Sequence, residues 1–177
     1  IIKIIKFGEA DFIVRFLTRE NGLVSLFAKS AGKSKNRFPC LDEMGRYQIR
    51  YRDKGTEKLG ILLEATHPHF TKALRLKTQL FAYASLTFEF LNKSLAPQNV
   101  KEAGEAFQLV ENLLAKFAAD QNPAASFATF LIQYLNLQGV MAHPEYCNHC
   151  RKHLATDRCY INVEEFHFLC TPCFENK

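Results

Sequence analysis

Two pairs of cysteines near the end of the chain, Cys147-Asn148-His149-Cys150 and Cys170-Thr171-Pro172-Cys173, restrict the fold more than any other feature. Nineteen residues separate the pairs. That is the spacing of two metal knuckles, each turn aiming two thiolates at one ion. Four thiolates complete a tetrahedron and leave no position for water or substrate, so the expected cofactor is one structural zinc. The intervening runs Tyr160-Ile161-Asn162-Val163 and Phe166-His167-Phe168-Leu169 have a strand-like pattern, as a zinc ribbon over 143–177 requires. Four unrelated thiols or two disulfides are the alternative, and neither has a reason to adopt paired spacing. Five of the six cysteines fall in the last 31 residues, which favours metal in a reducing compartment. Cys159, His149, His153 and His167 are substitute ligands outside the knuckle spacing. Cys159 reads as a small core hydrophobe of the ribbon, and Cys40 as incidental.

The rest of the chain has enough apolar material for a core, with 47% hydrophobic residues and sixteen Phe. No apolar run approaches the roughly 20 residues that span a bilayer. Phe12–Thr18 and Leu23–Lys29 flank the turn signal Glu20-Asn21-Gly22, a strong hairpin pattern. Alternation resumes at Tyr47–Arg52 and Leu59–Glu64, and with Ile1–Lys6 this makes about five strands. A small closed or nearly closed barrel over 1–66 hides their edges most economically. His67-Pro68-His69 is expected to end it, because proline cannot continue a ladder.

The period then becomes helical. Leu74, Leu80, Phe81, Ala84, Phe88 and Leu91 recur at helical steps, as do Ala103, Phe107, Val110, Leu114 and Phe117. A third helix opens with Asn122 as N-cap and Pro123 at its first position, ending near Gly139. These faces need one another, so a helical domain over about 70–142 is expected. The fold class is α+β and multidomain.

The net charge of +5 is unevenly placed. Residues 1–69 carry thirteen Lys/Arg against eight Asp/Glu, which is +5; residues 70–142 and 143–177 balance to +1 and −1. The excess therefore lies in the first segment and points to a polyanionic partner. It is densest in the loop cations Lys29, Lys33, Lys35 and Arg37 and the strand cations Arg46, Arg50 and Arg52. The strand cations share one parity with Gln48 and project on one face. Cations that follow phosphates beside Tyr47 and Tyr51, which could stack on bases, suit a sequence-tolerant single-strand groove. A solvated outer face whose tyrosines pack inward fits the same residues equally well.

The search for catalysis is empty. No GxGxxG, Walker loop, HExxH or GxSxG occurs. Ala31-Gly32-Lys33-Ser34 ends like a phosphate loop but has Phe27 where the first glycine belongs. His143-Pro144-Glu145 matches half of a zinc-deaminase signature, but Asn176 stands where its last cysteine is needed. No enzymatic activity is expected.

Gly8-Glu9-Ala10-Asp11, Leu17-Thr18-Arg19-Glu20-Asn21-Gly22 and Phe27–Ser34 together resemble the N-terminal barrel of bacterial RecO recombination mediators. The order matches too: barrel, helical domain, then a four-cysteine finger preceded by Leu137-Gln138-Gly139-Val140, with Pro144 and Tyr146 before Cys147. The resemblance implies an OB-fold barrel and a protein that binds and anneals single- and double-stranded DNA. It further implies engagement of the C-terminal tail of single-stranded DNA-binding protein and, with RecR, loading of RecA onto coated strands in RecF-type DNA repair. A bacterial cytoplasmic location, on the nucleoid during repair and away from any membrane, goes with that role. Two departures stand out. Ser30 replaces a frequent glycine, and family members usually carry more helix after the finger, so the helical domain is incomplete in this sequence or the chain is a short variant. Two rival readings fit the same residues: an RNA-binding OB/zinc-ribbon protein of the ribosome or transcription machinery, and a structural adaptor that binds no nucleic acid.

Overall fold

The computed structural model describes the chain except for residues 39, 56–58, 72, 73, 75, 97, 98, 120, 121, 143, 144, 155–157 and 177. It forms two compact units, Ile1–Ala128 and Thr129–Lys177.

The first unit is built on strands β1 (Lys3–Phe7), β2 (Asp11–Thr18), β3 (Gly22–Ala28), β4 (Arg46–Arg52) and β5 (Gly60–His69). They form one sheet in the order β1-β2-β3-β5-β4, antiparallel except where β3 meets β5. This is the five-stranded, partly open arrangement of an OB barrel. Alternation drives it, because Val14, Phe16, Leu26, Leu62 and Ala65 all turn into one core. Val14 and Leu26 stand directly opposite across β2 and β3. Gly60 pairs with Leu26, whose Cδ2 lies 2.8 Å from where a Cβ would stand, so the leucine occupies that space. The expected hairpin is present: Thr18 pairs with Gly22, and Gly22 takes a φ of +69° that glycine adopts freely.

The barrel does not close as a ladder. β1 and β4 are the outer strands, joined at one end where Met44 N–H donates to the Ile1 carbonyl (3.0 Å) and the Ile1 nitrogen to the Gly45 carbonyl (2.7 Å). Nor does the ladder stop at His67-Pro68-His69. β5 runs through Pro68, and Arg46 pairs with His69 across a register shift between Arg46 and Gln48. The irregularity, with His67 at φ +51°, removes the ladder bond that proline could not make.

Ser30 sits at φ +56°, with its N–H donating to Asp11 Oδ1 at 2.6 Å. A left-handed backbone is strained for any residue with a Cβ, which explains why a glycine suits this position. Ser30→Gly keeps the backbone bond and is expected to raise stability by up to about 1 kcal/mol. A thermal melt followed by circular dichroism checks this, and an unchanged or lower midpoint would count against it.

Three helices follow: α1 (Thr78–Ser94), α2 (Val100–Ala118) and α3 (Pro123–Leu137). Residues 72, 73 and 75, at the expected start of the first helical stretch, lie outside the described residues. In α1 the buried stripe is Leu80, Ala84, Thr87, Phe88 and Leu91, whereas Phe81 is half exposed. Thr87 joins the stripe because its hydroxyl is satisfied by the Tyr83 carbonyl, 2.8 Å away. Arg15 ties α1 to β2, its Nη1 donating to the Asn92 carbonyl at 3.0 Å and to Asn92 Oδ1 at 2.6 Å.

α2 buries Ala103, Ala106, Val110, Leu113 and Phe117, while the expected Phe107 and Leu114 are half buried at the margin. Asn99 caps it by accepting from Glu102 N–H and donating to the Glu102 carboxylate. The helix approaches the barrel through glycines. A Cβ on Gly22 would lie 3.2 Å from Val100 Cα, and one on Gly104 would lie 3.1 Å from the Arg19 carbonyl. α3 starts as expected, with Ala125 N–H donating to Asn122 Oδ1 at 3.2 Å. No helix among the described residues is long and apolar enough to cross a membrane.

In the second unit β6 (Cys159–Asn162) and β7 (His167–Cys170) form an antiparallel hairpin, and a single turn of helix, α4 (Thr171–Glu175), follows directly. Its core joins Met141, Leu154, Phe168 and Leu169 to Cys147 and Cys170, with Ile132 and Leu135 packed against them. Two of the four knuckle cysteines are therefore core residues as well.

Candidate metal centre and nucleic-acid surface

The first knuckle is a short turn closed by two bonds. Cys147 N–H donates to the Lys152 carbonyl (2.8 Å), and Arg151 N–H donates to the Cys147 carbonyl (2.9 Å). Arg151 takes φ +61° to complete the turn. Asn148 fastens the knuckle to β7, donating from its N–H to the Phe168 carbonyl at 2.8 Å and accepting from Phe168 N–H at 3.3 Å. The second knuckle is the step from β7 into α4, which carries Cys170 on the strand and Cys173 in the helix.

These two turns bring the sulfurs of Cys147, Cys150, Cys170 and Cys173 within 4.8 Å of one another. Cys150 Sγ and Cys170 Sγ stand 3.6 Å apart. A tetrahedral zinc with Zn–S bonds of about 2.3 Å sets its sulfurs about 3.8 Å apart. The donor set, count and spacing fit such an ion. The four cysteines are positioned to hold a metal, as the knuckle spacing required, and no other cluster of three or more potential ligands occurs among the described residues.

The thiols themselves favour a cation. Burial pushes the Cys147 thiol up, but hydrogen bonds from the backbones of Cys150, Cys170 and His149, helped by the Cys150 side chain, outweigh it and lower its pKa to about 6. Cys173 moves the other way, pushed up to about 12, first by its contact with Cys170 and then by burial and the other two sulfurs. Four adjacent sulfurs cannot all carry negative charge unless a cation stands between them.

The substitute ligands take other roles. His149 Nδ1 contacts Cys173 Sγ at 3.5 Å and lies outside the sulfur cluster. The His153 ring packs edge-on against Tyr146, and His167 pairs with Glu165 at 3.2 Å. Cys159 is exposed, not a core hydrophobe, and faces Cys170 across the hairpin. It shares a sheet face with its register partner Cys170, which is buried, so its exposure does not follow from the strand period. Pro144 lies outside the described residues.

Lys29, Lys33, Lys35, Arg37, Arg46, Arg50 and Arg52 are all exposed. The loop that carries the first four is well ordered by its own bonds. Arg37 donates to Ser34 Oγ (3.1 Å) and the Lys29 carbonyl (3.2 Å), and its guanidinium lies 5.1 Å from the centre of the buried Phe38 ring. Ala65 N–H donates to the Arg37 carbonyl at 3.0 Å, which fixes the loop to β5.

On β4 the parity is as expected, with Arg46, Gln48, Arg50 and Arg52 outward and Tyr47, Ile49 and Tyr51 packed on the core. The tyrosines thus pack inward and do not stand beside the cations as stacking platforms. Two strand arginines already have carboxylate partners: Arg46 with Glu111 of α2 at 2.6 Å, and Arg50 with Glu64 of β5 at 3.1 Å. Neither partner was legible from local sequence, because one lies 65 positions away and the other depends on the β4–β5 register.

Comparison with known proteins agrees with this architecture. Residues 1–69 match the family model described as Recombination protein O N terminal, and residues 77–177 match Recombination protein O C terminal. The chain is similar to the DNA repair protein RecO of Thermodesulfovibrio yellowstonii, with 28% identity over 98% of this chain and 67% of that one. It is 27% identical to the DNA repair protein RecO of Bacillus subtilis, over 96% of this chain and 64% of the other. Against that of Solidesulfovibrio magneticus it is 27% identical, over 98% and 70%. The chain spans about two thirds of the length of these relatives. With both parts of the family pattern matched in order, on an OB-type sheet followed by helices and a four-cysteine centre, this chain belongs to the RecO family of DNA repair proteins.

Proposed function

We propose that this chain is a recombination mediator. It binds single- and double-stranded DNA, anneals complementary strands and, with RecR, helps load RecA onto strands coated by single-stranded DNA-binding protein, whose C-terminal tail it engages. The observation that carries this reading is the family match, in order, over 1–69 and 77–177. The exposed cationic loop 29–37 supports it, since exposed cations on a fixed loop suit phosphate contacts that position DNA without reading its sequence. The metal is a structural zinc in a closed four-sulfur shell, and the protein does no covalent chemistry. Its place of action is the bacterial cytoplasm, on the nucleoid.

A strand-annealing assay tests the reading. Complementary oligonucleotides coated with single-stranded DNA-binding protein should anneal faster with this chain present. No acceleration, together with a preference for RNA of equal length, would overturn it.

A further inference from the structure

The open sheet leaves a seam. β4 pairs with β5 along one edge, and from Gln48 to Tyr51 its other edge has no strand neighbour among the described residues. α2 stands across the opening, and a cavity of about 580 Å³ remains between them, a size that accommodates a small ligand. One wall is apolar, formed by Phe16, Val110 and Leu114, with Phe107 lying under the Arg19 guanidinium at 5.4 Å. The facing wall is the β4 edge with Gln48. Arg19, Arg46, His67 and His69 line the cavity and are exposed, so they stand at its rim.

This combination has a chemistry. A flat ring can bury its faces against the apolar wall, while a strand edge and an amide side chain offer both donors and acceptors to its polar edge. Exposed cations at the rim suit a phosphate. A paired duplex cannot present a base to such a wall, whereas a single strand can. Two carboxylates that line the same cavity, Glu20 and Glu111, are discordant, and Glu111 is bound to Arg46. Its hold on a half-exposed arginine is weak, so a phosphate competes with it for the guanidinium.

We infer that the seam between β4 and α2 receives one unstacked nucleotide of a single-stranded nucleic acid, with Arg46 exchanging the Glu111 carboxylate for a phosphate. The inference rests on the DNA-binding reading above and adds a second contact apart from the 29–37 loop. Glu111 then acts as an internal competitor that weakens binding.

Two variants of the full chain test it by fluorescence anisotropy with single-stranded DNA over a salt series. Glu111→Gln keeps the side-chain size and is expected to tighten binding about 3–10-fold at low salt and steepen the salt slope by about 1 unit. Leu114→Trp fills the cavity and should weaken binding. Photocrosslinking with an oligonucleotide carrying one 5-iodouracil should label the peptide holding Phe107 or that holding His67 and His69, and Leu114→Trp should remove the label. If Leu114→Trp fails to fold, the Glu111→Gln slope and the wild-type cross-link decide alone. Suppose that wild type binds DNA and the loop variant weakens it, while Glu111→Gln matches wild type and cross-links fall elsewhere. The seam assignment then fails and the function stands. An extended acidic peptide that cross-links to the seam where DNA does not would overturn it in favour of strand addition. Wild type that binds no DNA would overturn both.

Discussion

Cys147→Ser with Cys150→Ser should abolish stoichiometric zinc and unfold the ribbon, while the barrel remains folded. Two of four thiolates are lost, and with them the knuckle that docks on β7 through Asn148. Structural zinc contributes roughly 10–16 kcal/mol of apparent folding free energy in small modules. The ribbon has little to replace it, since its core is a handful of side chains and Cys147 and Cys170 are among them. The first unit has a separate core around Val14, Phe16, Leu26 and Leu62 and contains none of the ligands. Elemental analysis should therefore read about one zinc per wild-type chain and none in the variant. Limited proteolysis should cut the variant within 143–177 first. Full zinc content in the double variant would mean that the ligands are misassigned.

Lys33→Ala, Lys35→Ala and Arg37→Ala together should weaken single-stranded DNA binding at low salt by at least about tenfold. If four to six cations neutralise phosphates, log affinity falls with log salt at a slope of about −3 to −4, and the triple variant flattens it by up to about 2 units. All sequences should weaken alike, because phosphate contacts position without specifying. Arg37 has a second role through Ser34 Oγ and the Lys29 carbonyl, so the variant with only Lys33 and Lys35 replaced separates charge from loop order. The fold should survive, since exposed loop charges add little stability. Wild-type affinity and slope in the triple variant would move the DNA site away from this loop.

What the sequence alone determined was whatever depends on neighbours a few positions apart. Cys147 and Cys150, like Cys170 and Cys173, announce a knuckle because two intervening residues suffice to aim both thiolates at one point. Glu20-Asn21-Gly22 announces a hairpin because the turn needs a residue at ease with positive φ, and Gly22 supplies it. Asn122-Pro123 announces a helix start through cap and fixed φ, and the alternation of β4 predicts which side chains face out. Each rests on covalent geometry and period, which folding does not rearrange.

The tertiary structure decided the rest. Pro68 ought to stop a strand, yet a register break that only the β4–β5 pairing could create admits it. Phe81, expected on the buried stripe of α1, is half exposed, while Thr87 is buried there, because the facing surface, not hydrophobicity alone, selects the stripe. Cys159 is exposed although its partner across the hairpin, Cys170, is buried, a difference that no local pattern encodes. Arg46 and Arg50 look like free cations in the sequence, but the fold sets Glu111 and Glu64 against them. The seam beside β4 has no local signature either, since a gap in a barrel is a relation among strands that are far apart in the chain. Charge pairing and cavities depend on distance in space, and that distance exists only after folding.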